Sequence, residues 1–395
     1  MSAPTLSPDE ELHWLALQLV PGLGARRSAV LIERFETPQA VFRASRTELE
    51  SAGLSGALAQ SISSGCTFED AAAQQELMRK CGAAGVPISD ARYPALLKEI
   101  YDPPIFLFAR GNLELAASHM LGVVGTRRPS PYGTAVAEKL AAELAAAGLT
   151  IVSGMARGID TAAHKGASSV DGNTVAVLGC GVDMVYPAEN RKLAAQIAAQ
   201  GLLLSEFPMG APAFPQNFPV RNRIISGMSL GVLVVEGAEY SGSSITARLA
   251  LEQGREVFAV PGNITSKVSW GPNLLIKQGA KLVQDWNDVI VELSPAIQRQ
   301  LIERGRSRIL GSGADRQAQQ GESGGGAQAS LFDGPSAGLS RKILTAIRVD
   351  SSIHLDVLMD RMDGVSSSEL IAALFELEML GMIKQLPGKN YVKVW

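Results

Sequence analysis

Leu121-Gly-Val-Val-Gly125-Thr-Arg-Arg128-Pro-Ser-Pro-Tyr132-Gly133 has the form of a short apolar strand, a tight glycine-containing turn with two arginines, and a helix opened by Pro131. Such a turn delivers backbone N–H groups and a guanidinium to the mouth of a helix. The first amides of a helix lack internal partners and carry partial positive charge, so anions bind there. Gly125, Thr126, Arg127 and Arg128 are therefore candidate ligands of a phosphate.

Outward from this stretch, apolar strand-like runs recur at 121–124, 150–152, 174–178, 202–204, 231–235, 256–260 and 281–283, separated by helical patterns. That alternation predicts an α/β fold with a parallel sheet covered on both faces. In such sheets ligands bind beyond the carboxyl ends of the strands. The residues at those ends are thus informative: Ser153-Gly154-Met-Ala-Arg157-Gly158 after the second strand, Gly179-Cys-Gly181 after the third, Ser205-Glu206 after the fourth, and Glu236-Gly237 with Ser241-Gly242-Ser243-Ser244 after the fifth. They donate hydrogen bonds and leave room for a phosphate, whereas groups suited to acid–base chemistry are scarce among them. Gly179-Cys-Gly181 lacks the third glycine of a dinucleotide fingerprint, and no GxxxxGK[ST] P-loop occurs. Asp160 and His164 share a helix face at i and i+4, but no nucleophile accompanies them at a recognisable spacing. They read as a cap and a local hydrogen-bonding pair, with His164 holding the loop from Gly154 to Gly158. No catalytic residue and no cofactor is expected.

With 395 residues, 46% of them hydrophobic, the chain has material for two or three domains. The net charge of -3 gives no global basic signature, so any nucleic-acid contact has to be a local patch. No apolar run is long enough to cross a bilayer, which predicts a cytoplasmic protein with no membrane partner. Cys66, Cys81 and Cys180 lack CxxC spacing, and with four histidines they suggest no metal site.

Residues 1–85 read as an N-terminal helical domain, with Val20-Pro-Gly22-Leu-Gly24-Ala-Arg26-Arg27 as its most distinctive turn. It resembles a helix-hairpin-helix or SAM-like module, and the alternative is a helical adaptor whose turns only pack. The stretch 70–86 reads as a further helix, and Tyr101-Asp-Pro-Pro-Ile-Phe-Leu-Phe as an edge strand. Residues 86–295 form the α/β domain. Residues 296–338, rich in Gln, Gly and Ser after a charged helical start, read as a flexible linker. Residues 339–395 show three helical stretches and a hairpin, the pattern of a winged helix. Its candidate recognition helix carries Glu369, Glu376 and Glu378 and no base, which argues against a phosphate partner; Lys384, Lys389 and Lys393 lie in the wing.

Six motifs in order, Val124-Gly-Thr-Arg127, Ser153 to His164, Gly179 to Asp183 with Tyr186-Pro-Ala-Glu-Asn190, Phe218-Pro-Val-Arg221-Asn222-Arg223, Ser241-Gly-Ser-Ser-Ile-Thr246 and Val260-Pro-Gly262, closely resemble the DNA processing protein A (DprA, or Smf) family. The resemblance implies an extended Rossmann-like domain that binds single-stranded DNA, forms a homodimer and places the RecA recombinase on incoming strands during natural transformation. It places a basic residue at Arg127 and a phosphate-contacting base at Arg191 or Lys192, beside Asn190. It associates the helix carrying Leu274, Leu275 and Gln278 with dimer formation and the RecA surface. Tyr186 is positioned either to stack on a base or to fill the gap between strand and helix. Arg221 and Arg223, about 200° apart on a helix, predict one outward arginine for DNA and one inward arginine paired with Glu206 or Glu236. A different class, a nucleotide N-glycosidase-like enzyme, needs an acidic PGGxGTxxE-type loop, where this chain reads Glu236-Gly-Ala-Glu239-Tyr-Ser-Gly.

Overall fold

The first eighty residues form short helices, α1 (Pro8–Gln18), α2 (Ala25–Phe35), α3 (Pro38–Arg43), α4 (Arg46–Ser51), α5 (Gly56–Ser63) and α6 (Phe68–Cys81), of which α1, α3, α4 and α5 are capped by the side chains of Ser7, Thr37, Ser45 and Ser55. Ser7 with Glu10 and Ser45 with Glu48 form reciprocal capping boxes at α1 and α4. The computed structural model describes residues 6–239 and 241–301, and within the C-terminal segment residues 343–344, 346–347, 353–362, 365, 370, 373–374, 377–378, 383–386, 388 and 390–393. The stretch read as a helix over 70–86 ends early. Gly82 adopts a left-handed conformation after Cys81, and the chain turns into strand β1 (Ala84–Pro87).

The chain then continues through α7 (Ala95–Lys98), β2 (Phe106–Gly111), β3 (Met120–Val124), α8 (Pro131–Ala146), β4 (Thr150–Ser153), α9 (Ile159–Ser169), β5 (Thr174–Val177), α10 (Arg191–Gln200), β6 (Leu202–Ser205) and α11 (Asn217–Gly227). It closes with β7 (Gly231–Val234), α12 (Gly242–Glu252), β8 (Glu256–Ala259), α13 (Trp270–Lys277), β9 (Lys281–Leu282) and α14 (Asn287–Ile290). Nine strands form one sheet in the order β1-β2-β6-β5-β4-β3-β7-β8-β9. Strands β3 to β9 are parallel, and β1 and β2 add an antiparallel margin. The proline-containing stretch is therefore not the edge. Pro103 and Pro104 precede β2, which itself contains no proline, and the outer position belongs to β1.

Burial follows the two-residue period of a strand. Met120 and Val124 of β3 face one core with Val232 and Val234 of β7, while Leu121 and Val123 face the other with Leu233. Helices α11 and α12 cover the first face through Ile224, Ile225, Ala247 and Ala250; α8 and α9 cover the second through Leu140, Leu144, Ile159 and Ala163. The N-terminal helices share a third core with Phe106 and Phe108 of β2. The described residues up to Leu301 belong to one compact unit.

The second unit has a core of Ile343, Ile347, Leu358, Leu370, Leu374 and Leu377. Its strands β10 (Ile353–His354), β11 (Ile383–Leu386) and β12 (Asn390–Lys393) form a sheet in the order β10-β12-β11, with helix α15 (Leu355–Asp360) directly after β10. The β11–β12 hairpin is the wing expected from the sequence. Glu369, Glu376, Lys389, the side chains of Lys384 and Lys393, and the linker residues 302–338 lie outside the described residues. Among the described residues no helix is long and apolar enough to cross a membrane.

Candidate functional site

The strand order reverses between β3 and β7, and there the connections leave in opposite directions and open a crevice beyond the carboxyl ends. A cleft of about 610 Å3 lies at this place, lined by Gly125 to Arg128, Asp160, Tyr186, Phe218, Arg221, Asn222 and the start of α12 from Ser241 to Ser243. Three loops and two helices thus converge on it.

The turn after β3 is fixed largely by Glu236, at the end of β7. Thr126 N–H donates to the Glu236 carbonyl at 2.7 Å. The Glu236 carboxylate accepts from Ser130 N–H at 2.8 Å and from the Ser130 hydroxyl at 2.6 Å. Ser130 in turn caps α8 by accepting from Gly133 N–H at 3.0 Å. A side chain at Gly133 would overlap the Glu236 carboxylate, and one at Gly125 would press on Ile159 and the Glu236 carbonyl. The expected anion position at the start of α8 is therefore already served by a carboxylate of the protein itself, which suits the positive end of a helix. What the turn offers a ligand is Arg127 and Arg128, both exposed, with Thr126 on the cleft wall.

Several other candidate residues turn inward. The Ser153 hydroxyl donates to the Val123 carbonyl at 2.6 Å and ties β4 to β3. Gly154 N–H goes to the Asp160 carboxylate at 3.1 Å, which also accepts from Ala156 N–H at 3.3 Å. Gly158, at φ 80, passes so close over Thr126 that a side chain there would strike the Thr126 carbonyl. The Asn190 amide donates to the Met155 carbonyl at 2.8 Å and to the Thr161 hydroxyl at 2.9 Å. Asp160, Thr161 and Asn190 hold the 154–158 loop, and His164 does not. His164 is fully buried, its Nδ1 lies 2.7 Å from the Thr174 hydroxyl, and that hydroxyl donates to the Ile151 carbonyl. Nδ1 therefore carries the hydrogen. Burial pushes the His164 pKa down to about 3 and keeps the ring neutral.

Both arginines of α11 are buried, contrary to the expectation of one outward and one inward. Arg221 is 3% exposed; its Nη1 donates to the Gly154 carbonyl at 2.7 Å and to the Val177 carbonyl, joining the ends of β4 and β5. Burial lowers its pKa to about 10, and the neighbouring Asp160 opposes that shift, so it remains charged near neutrality. Arg223 pairs with Glu206 and, at 3.1 Å, with Asp102. The two side chains do diverge, but α11 is sandwiched between the strand ends and the segment before β2, so neither direction leads to solvent. Glu236, the other expected partner, is committed to Ser130.

The open face of the cleft is built from the remainder. The Arg127 guanidinium lies 5.4 Å from the Phe218 ring centroid and has no ion pair among the described residues. Tyr186 is 48% exposed, with its ring centroid 5.5 Å from that of Phe218. Across the cleft, the Ser241 hydroxyl caps α12 through Ser244 N–H, and the amides of Gly242 and Ser243 have no acceptor among the described residues. Asn222 leans on the Gly242 carbonyl at 3.4 Å. Arg191 and Lys192 are exposed at the start of α10 and stand outside the cleft lining. Sequence reasoning misses Phe218 and Glu236 as site residues. Phe218 sits one turn before Arg221 in a motif that draws attention only to charge, and the partner of Glu236 is 106 positions away.

On α13, Leu274 and Leu275 are both half-buried, Leu275 packing against the sheet core, and Gln278, the residue after its last turn, is exposed. The same helix exposes Trp270.

A doubly wound sheet whose cleft sits at the strand-order reversal, walled by hydrogen-bond donors, an arginine and two aromatic rings, is a Rossmann-like binding domain. The profile of the DNA recombination-mediator protein A family matches residues 85–294, and that of the DprA winged helix domain matches residues 332–389. Protein Smf of Escherichia coli (strain K12) is 40% identical over 310 residues, covering 78% of this chain and 77% of that protein. DNA processing protein DprA of Bacillus subtilis (strain 168) is 47% identical over 216 residues, covering 54% and 73%. The X-ray structure of DprA from Streptococcus pneumoniae superposes with a TM-score of 0.64 at 36% identity, covering 74% of this chain and 99% of that one. The chain belongs to the DprA (Smf) family of DNA-processing proteins.

Proposed function

We propose that this chain binds single-stranded DNA without catalysing a reaction on it, protects incoming strands and loads the RecA recombinase as a cytoplasmic homodimer during natural transformation. The observation that carries the binding is the unpaired, exposed Arg127 beside the Phe218–Tyr186 ring pair, facing the open amides of α12 across one cleft. A guanidinium and helix amides take phosphates, and aromatic faces take bases of any sequence. The acids and the histidine around the cleft support a non-catalytic role: Asp160 holds two amides, Glu236 holds Ser130, and His164 is buried against Thr174. The homodimer and RecA assignments rest on membership of the family; exposed Trp270 at the start of α13 and Gln278 just past its end are compatible with them.

Binding of a labelled single-stranded oligonucleotide across a salt series, run beside an assay for base release from nucleoside monophosphates, tests this reading. Affinity is expected to fall with salt at a log–log slope of about -0.7 per phosphate contacted, with no base released. Weak, salt-independent binding accompanied by base release would overturn it and favour the N-glycosidase-like alternative.

A further inference from the structure

We propose that a groove in the N-terminal helical segment is a second nucleic-acid contact, taking the strand as it leaves the main cleft; this rests on the single-strand reading above. The groove, of about 550 Å3, is lined by Leu23, Arg26, Arg27, Leu54, Tyr101 and Asp102. Tyr101 is 70% exposed, and the Arg26 guanidinium lies over its ring at 3.8 Å from the centroid. An aromatic ring with a guanidinium on one face is a platform for a base, and the charge is placed to meet the adjoining phosphate. Arg27 is exposed beside it, its Nη1 held by the Gly22 carbonyl at 3.3 Å. The floor is apolar, from Leu23 and Leu54. The one acid of the lining, Asp102, accepts from Arg223 Nε at 3.1 Å, a guanidinium it shares with Glu206, so its charge is partly answered inside the protein and the two exposed arginines outweigh it in the groove.

The same ion pair relates the groove to the cleft. Arg223 lies five positions after Phe218 on α11, a helix of 11 residues and about 16 Å. β2 runs antiparallel to β6, with Phe108 opposite Ser205, so the segment carrying Tyr101 and Asp102 enters at the carboxyl end of the sheet, where the main cleft also opens. A single strand crossing the cleft therefore has a guanidinium–aromatic platform within reach on the flank of the same helix. A chain of phosphates and bases satisfies both features of the groove, whereas an acidic peptide leaves the exposed ring face unused.

The test measures the affinity of the full chain for oligothymidylates from about 6 to about 40 nucleotides, with the double variant Arg26→Ala/Arg27→Ala and, separately, Tyr101→Ala. All three side chains are exposed, and thermal melting checks that each variant is folded. Short oligonucleotides are expected to bind every form equally. Long ones are expected to lose roughly tenfold in the double variant, with a salt slope shallower by about 1.4, and to lose affinity in Tyr101→Ala with the slope unchanged. Long oligonucleotides that bind the double variant with wild-type affinity and slope would overturn the second contact while leaving the main cleft standing. Failure of the unmodified chain to bind even the short ones would remove both.

Discussion

The Glu236 carboxylate holds Ser130 twice, at its amide and at its hydroxyl, and so anchors the arginine turn that crosses the top of β3. Ser130→Ala removes the cap of α8, worth about 1 kcal/mol, and deprives a buried carboxylate of a partner, worth about 1–3 kcal/mol more. Urea unfolding of this variant should show a loss of about 2 kcal/mol or more. A loss under about 0.5 kcal/mol, the size expected of an ordinary surface change, would mean that the contact does not hold the turn.

Arg221 and Arg127 line the same cleft in opposite roles, one a buried tie between strand ends and the other exposed to a ligand. Arg221 donates to the carbonyls of Gly154 and Val177, and a side chain at Gly154 would overlap its guanidinium. Gly154→Ala and Arg221→Ala should therefore both lower the melting temperature, Arg221→Ala by the equivalent of about 3 kcal/mol or more and Gly154→Ala by about 1–3 kcal/mol. An Arg221→Ala variant that melts like the unmodified chain but no longer binds an oligonucleotide would make Arg221 a direct ligand.

His164 predicts an acid-sensitive contribution to stability. Its pKa is lowered from 6.5 to about 3 by burial, so between these values the unfolded chain takes up a proton that the folded chain refuses. The contribution is complete above the unfolded pKa and is lost as pH falls toward the folded one, at up to about 1.4 kcal/mol per pH unit. Burial pushes the carboxyls of Asp160 and Glu206 up, which acts in the opposite sense. Comparison with a single variant therefore isolates the histidine. His164→Asn should be less stable at neutral pH but flatter in its dependence on acid when urea midpoints are compared; equal acid slopes would rule the histidine out as the source.

Phe218 lies between Arg127 and Tyr186. Phe218→Ala should weaken oligonucleotide binding by about 1–3 kcal/mol for each base stacked there, with the salt slope unchanged because no charge is removed. A shallower slope would show that the ring acts by positioning Arg127 rather than by stacking.

The sheet was legible because its strands are apolar runs ending in Gly, Ser or Arg, and the cleft was legible because open α/β sheets place it at those ends. The direction of individual polar side chains was not. Ser153, Asn190 and Arg221 are residue types that serve a ligand and a neighbouring carbonyl equally well, and only the packing of adjacent loops decides between them. Helical spacing separated Arg221 from Arg223 correctly, but the burial of both sides of α11 depends on the segment before β2, more than a hundred positions earlier. The paired prolines misled for a similar reason: they mark the approach to β2, and the edge was supplied by β1, hidden at the end of a helical pattern.

Everything proposed for the main cleft depends on Arg127 holding a phosphate of a single DNA strand. The decisive experiment is the salt dependence of oligonucleotide affinity for Arg127→Ala beside the unmodified chain, with melting curves for both. Unchanged melting, weaker binding and a log–log slope shallower by about 0.7 are expected. A folded Arg127→Ala chain that binds with the original affinity and the original slope would refute the phosphate contact.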